Sequence, residues 1–484
     1  ELVQQIKQSG RPAAVLAPQR QQVVDMEKAG FPSPATVASF LTKAELPERA
    51  VIVVDEAGQI GGQQMLALLR LAKERNARIV LSGDTRQHGA VEASDALLAI
   101  ERHAGIKPVE LHKIRRQGPG LARDNSERAS IKRYRSAVEA AAAGRLADSF
   151  KRLDQMGAVV GCGLGEQADK LAEEYVCLAE KSASAVVVSQ TWGEVHRVNA
   201  RVREALKAKG LLGASDTPIQ ALERVDLTNA QKRDERFYPP DAVIVFNQKV
   251  REAEVGSKGK LSGILKTGLL VEVGGRFVTV SNKMLDRISV CQAREIAVAS
   301  GDRLHLKANR RLSSGGRVTN GELVAVKSVR GDGSIELADG RVLDANFREF
   351  LAGYAVTSYG SQGKTVDYVL FSDSSIKAAT HAQQWYVTIS RGRRGIRIFT
   401  PDKEQLRENV TRSGHRPLAL ELATGLTPRR GVRLWDRLHG YMLRFGRRAA
   451  DNFCRLKISR HRHQPIETHE HKITRMLGER SERS

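Results

Sequence analysis

The chain has 484 residues, with 78 Lys and Arg against 55 Asp and Glu and a formal net charge of +23. Hydrophobic residues make up 41% and aromatic residues 5%, which excludes a disordered chain and implies cores of Ala, Val, Leu and Ile spread over several domains. The positive surplus points to a polyanionic partner, most often nucleic acid, a generally basic proteome being the other source of such a balance. No apolar run of about 18 residues appears, so no membrane insertion is expected. ELVQQIKQSG has neither the basic head nor the apolar stretch of a signal peptide. Cys162, Cys177, Cys291 and Cys454 form no C-x-x-C pair, so the expected location is a reducing cytoplasm.

Elements alternate over the first 110 residues. Leu2, Val3 and Ile6 mark a helix stopped by Gly10, and Ala13 to Ala17 a short strand closed by Pro18. The apolar run Val51 to Val54 predicts a strand buried on both faces. Met65, Leu68, Leu69 and Ala72 recur at helical spacing, and Ile79 to Leu81 is the next strand. Strands separated by helices imply a parallel sheet. Residues 118–180 read as helices, Val186 to Ser189 as a strand, and Glu194 to Lys209 as a helix carrying His196, Asn199 and Arg203. From 215 to 350, short β-type pieces between Gly-rich turns suggest a small β-barrel inserted into the α/β fold. The α/β pattern resumes at Tyr354, with strands at Tyr368 to Phe371 and Ile396 to Phe399. The C-terminal stretch is basic: between Thr427 and His463, 11 Lys and Arg face Asp436 and Asp451. His461, His463, His469 and His471 read as part of this solvated tail, not as a metal site.

The residues suited to chemistry lie at strand ends. The strand Val51 to Val54 delivers Asp55 and Glu56 to the end where open α/β sheets bind ligands. Successive side chains diverge there, so Asp55 can hold Mg²⁺ through its water shell while Glu56 polarises an attacking water. Alone, the pair also fits a strand end capped by solvated acids. The next strand leads into Ser82-Gly83-Asp84-Thr85-Arg86-Gln87, where Gln87 could reach a γ-phosphate; an ordinary Gly83-Asp84 turn is the alternative. Arg115, Arg116 and Gln117, and farther on Ser390, Arg391, Gly392 and Arg393, offer guanidinium forks that match phosphate oxygens, unless they form basic helix faces. Gly363-Lys364-Thr365 looks like the end of a phosphate-binding loop. Ser358 stands where G-x-x-x-x-G-K-[ST] needs Gly, and a β-type run follows where a helix should.

In order and spacing these segments resemble a superfamily 1, RecD-like DNA helicase. VVDEAGQI at 53–60 resembles motif II, LSGDTRQ at 81–87 motif III and LHKIRRQ at 111–117 motif IV. YAVTSYGSQGKT at 354–365 resembles motif V and YVTISRGR at 386–393 motif VI, with GDRLHLKANRR at 301–311 and NGELVAV at 320–326 between. Residues 14–18 and 36–41 resemble motif Ia and its neighbour. Residues 137–160 and 222–237 are similar to the helicase half of a MobF conjugative relaxase of the TrwC/TraI type.

The resemblance implies an α/β fold of two RecA-like, parallel-sheet P-loop NTPase domains with a small inserted β-barrel and a basic tail. The first domain, lacking its P-loop strand, would span 1–110, the second 111–214 and 351–415, an SH3-like insert 215–350, and the tail 416–484. It implies ATP and Mg²⁺ as cofactors and ATP-dependent 5′-to-3′ helicase activity on single-stranded DNA. Asp55, Glu56, Gln87, Arg116 and Arg391 would be catalytic, with Gln117 and Gly363 at the nucleotide. Pro18, Thr357, Ser358 and Gln362 would line the DNA track. Other relaxosome or secretion-channel proteins are further expected partners. Two features depart from the pattern. The 484 residues contain no Walker A sequence, so the chain reads as truncated before or within its first domain and as weak or inactive alone, with a non-catalytic single-stranded-DNA-binding remnant as the alternative. In motif V, Tyr359-Gly360 replaces the usual His-Lys. No relaxase histidine triad or nucleophilic tyrosine is matched.

Overall fold

The computed structural model describes residues 2–424 except 93, 112, 113, 374–379 and 416; the basic tail from 425 onward, with its histidines, lies outside the described residues. By contacts between residues the chain forms a large unit, Glu1–Leu97 with Leu111–Arg416, and a small one, Leu98–Glu110 with the chain from Pro417. Within the small unit Arg102 pairs with Glu421 at 3.0 Å.

The large unit holds two all-parallel sheets. In the first, the strands run in the order Ala35–Thr36, Ala13–Ala17, Val51–Val54, Arg78–Leu81. Val51–Val54 is buried along its whole length, as a central strand with helices on both faces must be. The helix Gly62–Glu74 buries Met65, Leu68, Leu71 and Ala72. Leu69, expected inward, is exposed: it sits at the rim of the apolar stripe that Leu68, Leu71 and Ala72 centre.

The second sheet runs Ala355–Thr357, Ala185–Ser189, Val366–Ser372, Gly392–Thr400, Val159–Gly161. Residues 118–180 are therefore not all helical. Val159–Gly161 is a three-residue strand between helices, too short to show a periodicity of its own. One face of this sheet packs on Tyr134, Val138, Phe150, Leu153 and Trp385. The other packs on Leu171, Tyr175, Val198, Val202 and Leu206.

Between these strands the chain leaves the parallel sheet and forms antiparallel structure around two cores. A six-stranded sheet encloses Ile244, Phe246, Leu269, Val271, Val280 and Val290. A five-stranded sheet encloses Leu304, Leu306, Val326, Phe347 and Phe350. The long pair Thr217–Val225 and Ile288–Val298 joins them, because its Val290 end enters one core and its Ile219 and Val298 end the other.

The insertion is tied to the second sheet by Asp302, which is 3% exposed. Its carboxylate accepts two hydrogen bonds from Arg203 Nε, at 3.0 and 3.1 Å, and one from Arg203 Nη2 at 2.9 Å. It also accepts from the Tyr354 hydroxyl at 2.6 Å and the Ala299 amide at 2.7 Å. Truncating one partner of a buried ion pair leaves the other's charge uncompensated. Asp302→Ala should therefore lower unfolding free energy in urea by about 3 kcal/mol; a change under about 0.5 kcal/mol would place the anchor elsewhere.

Candidate nucleotide site and nucleic-acid interface

The strand Val51–Val54 ends at Asp55, whose amide donates to Leu16 O at 2.9 Å. Asp55 Oδ1 accepts from Ser82 Oγ at 3.1 Å, which draws the ends of the two neighbouring strands together. Glu56 then takes the left-handed conformation, φ 50° and ψ 39°. A non-glycine residue holds such a backbone at a cost of about 1–3 kcal/mol, and does so most often at functional sites. The turn sends Glu56 along a different course from Asp55. Burial raises the Glu56 carboxyl above its ordinary value, the charge of Asp55 adds to the rise, and Arg391 opposes it. Gln59 Nε2 donates to Glu56 Oε2 at 3.3 Å and is itself held through its Oε1 by Gln19 at 2.7 Å. Gly83 lets the two strand ends approach: a Cβ there would meet Leu97 at 2.9 Å and the Gly58 amide nitrogen at 3.1 Å.

Among the described residues neither acid has an ion-pair partner, and no group of three or more His, Cys, Asp or Glu is placed to hold a metal. Asp55 and the Ser82 hydroxyl are hard oxygen donors. They fit a Mg²⁺ ion that keeps several waters and takes its remaining ligands from phosphates, the usual manner of Mg²⁺ at nucleotide sites.

The opposite wall comes from the helix Ala382–Ile389 and the turn after it. Arg391 is 2% exposed; its Nε donates to Val387 O at 2.9 Å and its Nη2 to Gln87 Oε1 at 3.0 Å. Arg116 Nη1 donates to Ser390 O at 2.8 Å, and the Tyr134 hydroxyl donates to Ile389 O. The carbonyls left over at the helix C-terminus thus receive cations and a hydroxyl, which the helix dipole favours. Gln117, expected at the nucleotide, spends its amide NH₂ on Ser390 O at 3.3 Å and Gly392 O at 2.6 Å, so it braces the Arg391 turn. Burial lowers both guanidinium groups, Arg391 to about 10, where it remains charged at neutral pH. Each guanidinium feels Glu56 from across the cleft as a stabilising charge.

The loop after strand Arg78–Leu81 makes the bridge between the walls, residue by residue. The charge of Asp84 lies close enough to the Tyr386 hydroxyl to add to the rise that burial gives it. Arg86 donates to Ala142 O, and Gln87 accepts from Arg391. His88 Nε2 meets the Ser358 hydroxyl, and its ring stacks on Tyr359 with centroids 4.0 Å apart. Burial, with His381 and Arg391 nearby, pushes His88 down to about 3, so it is neutral over the working range.

Of the expected track residues, Ser358 touches this bridge. Pro18 is half-buried at the end of strand Ala13–Ala17. Thr357 caps the short helix Ser358–Ser361, its hydroxyl accepting from Gly360 N at 3.2 Å. Ser358 is buried against His88, whereas Gln362 is half-buried and Gly363 exposed with φ 81°. Gly363 and Lys364 lead into the strand Val366–Ser372, not into a helix. Residues 112 and 113 of the LHKIRRQ segment lie outside the described residues. His88, Asp84 and Tyr386 escaped the sequence reading. Only the position of His88 directly after Gln87 offered a hint.

Two parallel sheets, with acids at one strand end and the guanidinium groups of Arg391 and Arg116 facing them, form a RecA-like α/β core. An AAA domain family matches residues 1–163. The multifunctional conjugation protein TraI of Escherichia coli is 21% identical over 460 residues, covering 83% of this chain and 25% of that protein. A probable conjugal transfer protein TraA of Sinorhizobium fredii is 23% identical over 234 residues, 48% of this chain and 19% of that protein. The chain thus spans about a quarter or less of these relatives' length. The crystal structure of Pif1 helicase from Bacteroides in complex with ADP-AlF3 and ssDNA aligns with a TM-score of 0.37 at 13% identity, covering 87% of this chain and 88% of that one. In its ordered motifs and in these relatives the chain is similar to the superfamily 1 helicase region of conjugative relaxases. Among the described residues no helix is long and apolar enough to cross a membrane.

The His88 contact has a pH signature. A histidine at 6.5 when unfolded and about 3 when folded lets the unfolded state bind the extra proton between those values. Its contribution to stability is complete above pH 6.5 and is lost as pH falls toward 3. His88→Gln should therefore flatten the decline of urea stability between pH 6.5 and 4 relative to the unsubstituted chain. Parallel curves for the two proteins would show that His88 stays accessible to protons.

Proposed function

We propose that the chain is the motor portion of a conjugative DNA-transfer protein, an ATP-dependent helicase that moves 5′ to 3′ on single-stranded DNA. The observation that carries this reading is the burial of Arg391 against Gln87 of the first lobe, with Arg116 beside it and both guanidinium groups in the field of Glu56. The buried Arg391 and the half-buried Arg116 present guanidinium forks that match the oxygens of a triphosphate. In this reading Asp55 holds Mg²⁺ through water, and the ion offsets charge on the phosphates. Glu56, whose carboxyl burial raises above its ordinary value, accepts as a carboxylate the proton of the attacking water. Gln87 senses the γ-phosphate. Arg116 and Arg391 stabilise the transferred phosphoryl group, a role worth about 10³–10⁵ in rate. Gln117 holds the Arg391 turn near the nucleotide, and Gly363 supplies the backbone freedom of its loop. Pro18, Thr357, Ser358 and Gln362 flank the DNA, to which the net charge of +23 adds sequence-independent attraction. Relaxosome and secretion-channel proteins are the partners that the conjugation relatives suggest.

A second reading, a non-catalytic single-stranded-DNA-binding remnant, is favoured by the lack of G-x-x-x-x-G-K-[ST] in the 484 residues. The same lack predicts slow ATP hydrolysis by these residues alone. The motor reading predicts that Mg²⁺-ATP shifts the affinity for an oligo(dT) strand severalfold, that Arg391→Lys abolishes the shift, and that Glu56→Gln removes what hydrolysis there is. DNA affinity indifferent to nucleotide would leave the remnant standing and end the motor reading.

A further inference from the structure

The turn after Glu56 carries an amide side chain that the reading above leaves without a role. Ala57–Gln59 is one 3₁₀ turn, closed by the Gln59 amide on Glu56 O at 2.9 Å. Side chains three apart eclipse in such a turn, so Gln59 comes back over Glu56. Ala57 and Ile60 are fully buried and hold the turn in the first lobe. Gln59 Nε2 thereby reaches Glu56 Oε2 at 3.3 Å, and among the described residues it is the one hydrogen-bond donor to that carboxylate.

Which end of Gln59 faces the acid is settled by a backbone group three hydrogen bonds away. The main-chain N–H of Gln19 can only donate, and Gln22 Oε1 accepts it at 3.0 Å. That turns Gln22 so that its Nε2 donates to Gln59 Oε1 at 3.3 Å. Gln19 Nε2 donates to the same oxygen at 2.7 Å. With its oxygen facing two donors, Gln59 has only its NH₂ group to offer Glu56. A flipped Gln59 would set its NH₂ against two others and its oxygen against a carboxylate. The chain of donors therefore runs one way, from the start of the helix Arg20–Lys28 to the acid, and ends on Oε2. The other carboxylate oxygen stays free for a proton.

We propose that Gln59 is a positioning residue for ATP hydrolysis, holding Oε2 of Glu56 so that Oε1 takes the proton of the attacking water, and that Gln19 and Gln22 aim it. The inference rests on the reading of Glu56 as proton acceptor given above. As the water oxygen bonds to the γ-phosphorus and the bond to the ADP oxygen breaks, the water proton passes to Oε1. Gln59 gives up no proton and keeps its hydrogen bond to Oε2. A carboxylate on a left-handed turn could otherwise rotate about its own side-chain bonds. One fixed oxygen removes that freedom, and the cost of orienting the acid is met before substrate arrives.

The test follows labelled phosphate released from Mg²⁺-ATP by the full 484-residue chain in long incubations, with Glu56→Gln as the zero. Gln59→Met keeps the length of the side chain and loses the donor. It should lower the rate at saturating ATP about tenfold. It should change the half-saturating ATP concentration by less than about twofold, because Gln59 touches the acid and not the nucleotide. Gln19→Met with Gln22→Met leaves Gln59 and Glu56 in place and should lower the rate about threefold, again at constant half-saturation. Added to Gln59→Met, that pair should cost nothing further, since its whole effect passes through Gln59. A residue that only braced the fold would give effects that add. If Gln59→Met weakens folding, the Gln19 and Gln22 pair decides alone, and an unchanged rate there overturns the inference. Additive effects, or a Gln59→Met rate equal to that of the unsubstituted chain while Glu56→Gln is inactive, overturn it and leave the motor reading standing. A Glu56→Gln rate equal to the unsubstituted rate removes the proton acceptor, and the inference falls with that part of the reading.

Discussion

The contact between Gln87 and Arg391 decides what the rest of this molecule can do. It joins a strand end of one parallel sheet to a helix end of the other, 304 residues away in sequence. Around it, Asp84, Arg86 and His88 make their own contacts across the cleft, so each of four residues in a five-residue loop has a separate partner on the second sheet's side. A charge placed between Glu56 and the two arginines would act on this loop directly. The same loop ends at Ser358 and Tyr359, the residues nearest the expected DNA track. Under the proposed function, nucleotide and strand would stand at two ends of one short peptide segment, which is the physical requirement for coupling their binding.

The insertion serves the same arrangement from a distance. Asp302 binds Arg203 and Tyr354 at once and so fixes where the chain re-enters the second sheet. Tyr354 begins the strand that delivers Thr357 and Ser358. The same segment is held by Asn199, which accepts from the Tyr354 and Ala355 amides at 2.9 Å, and by pairing with the strand Ala185–Ser189.

Much of this was legible from the residues. The apolar runs at Val51 and Val186, each followed by polar residues, announced central strands of parallel sheets, and Asp55, Glu56 and Gln87 stand at or just past the ends of their strands. Arg116 and Arg391 could be singled out by guanidinium chemistry but not placed, because their approach to Glu56 depends on how two lobes meet. Gln117 also braces backbone carbonyls through its Nε2, a use that leaves no pattern in sequence. The insertion announced its β character through Gly-rich turns. Its division between two cores did not show, since strand partners in antiparallel sheets are set by register and not by local periodicity.

A double-mutant cycle on Gln87→Ala and Arg391→Ala, read by urea unfolding of the 484-residue chain, tests the bridge most directly. A hydrogen bond to a buried guanidinium across the two lobes should give a coupling of about 1–2 kcal/mol. Effects that add to within about 0.3 kcal/mol would mean that the two side chains do not act on each other, and the coupling of nucleotide to strand through this loop would be contradicted.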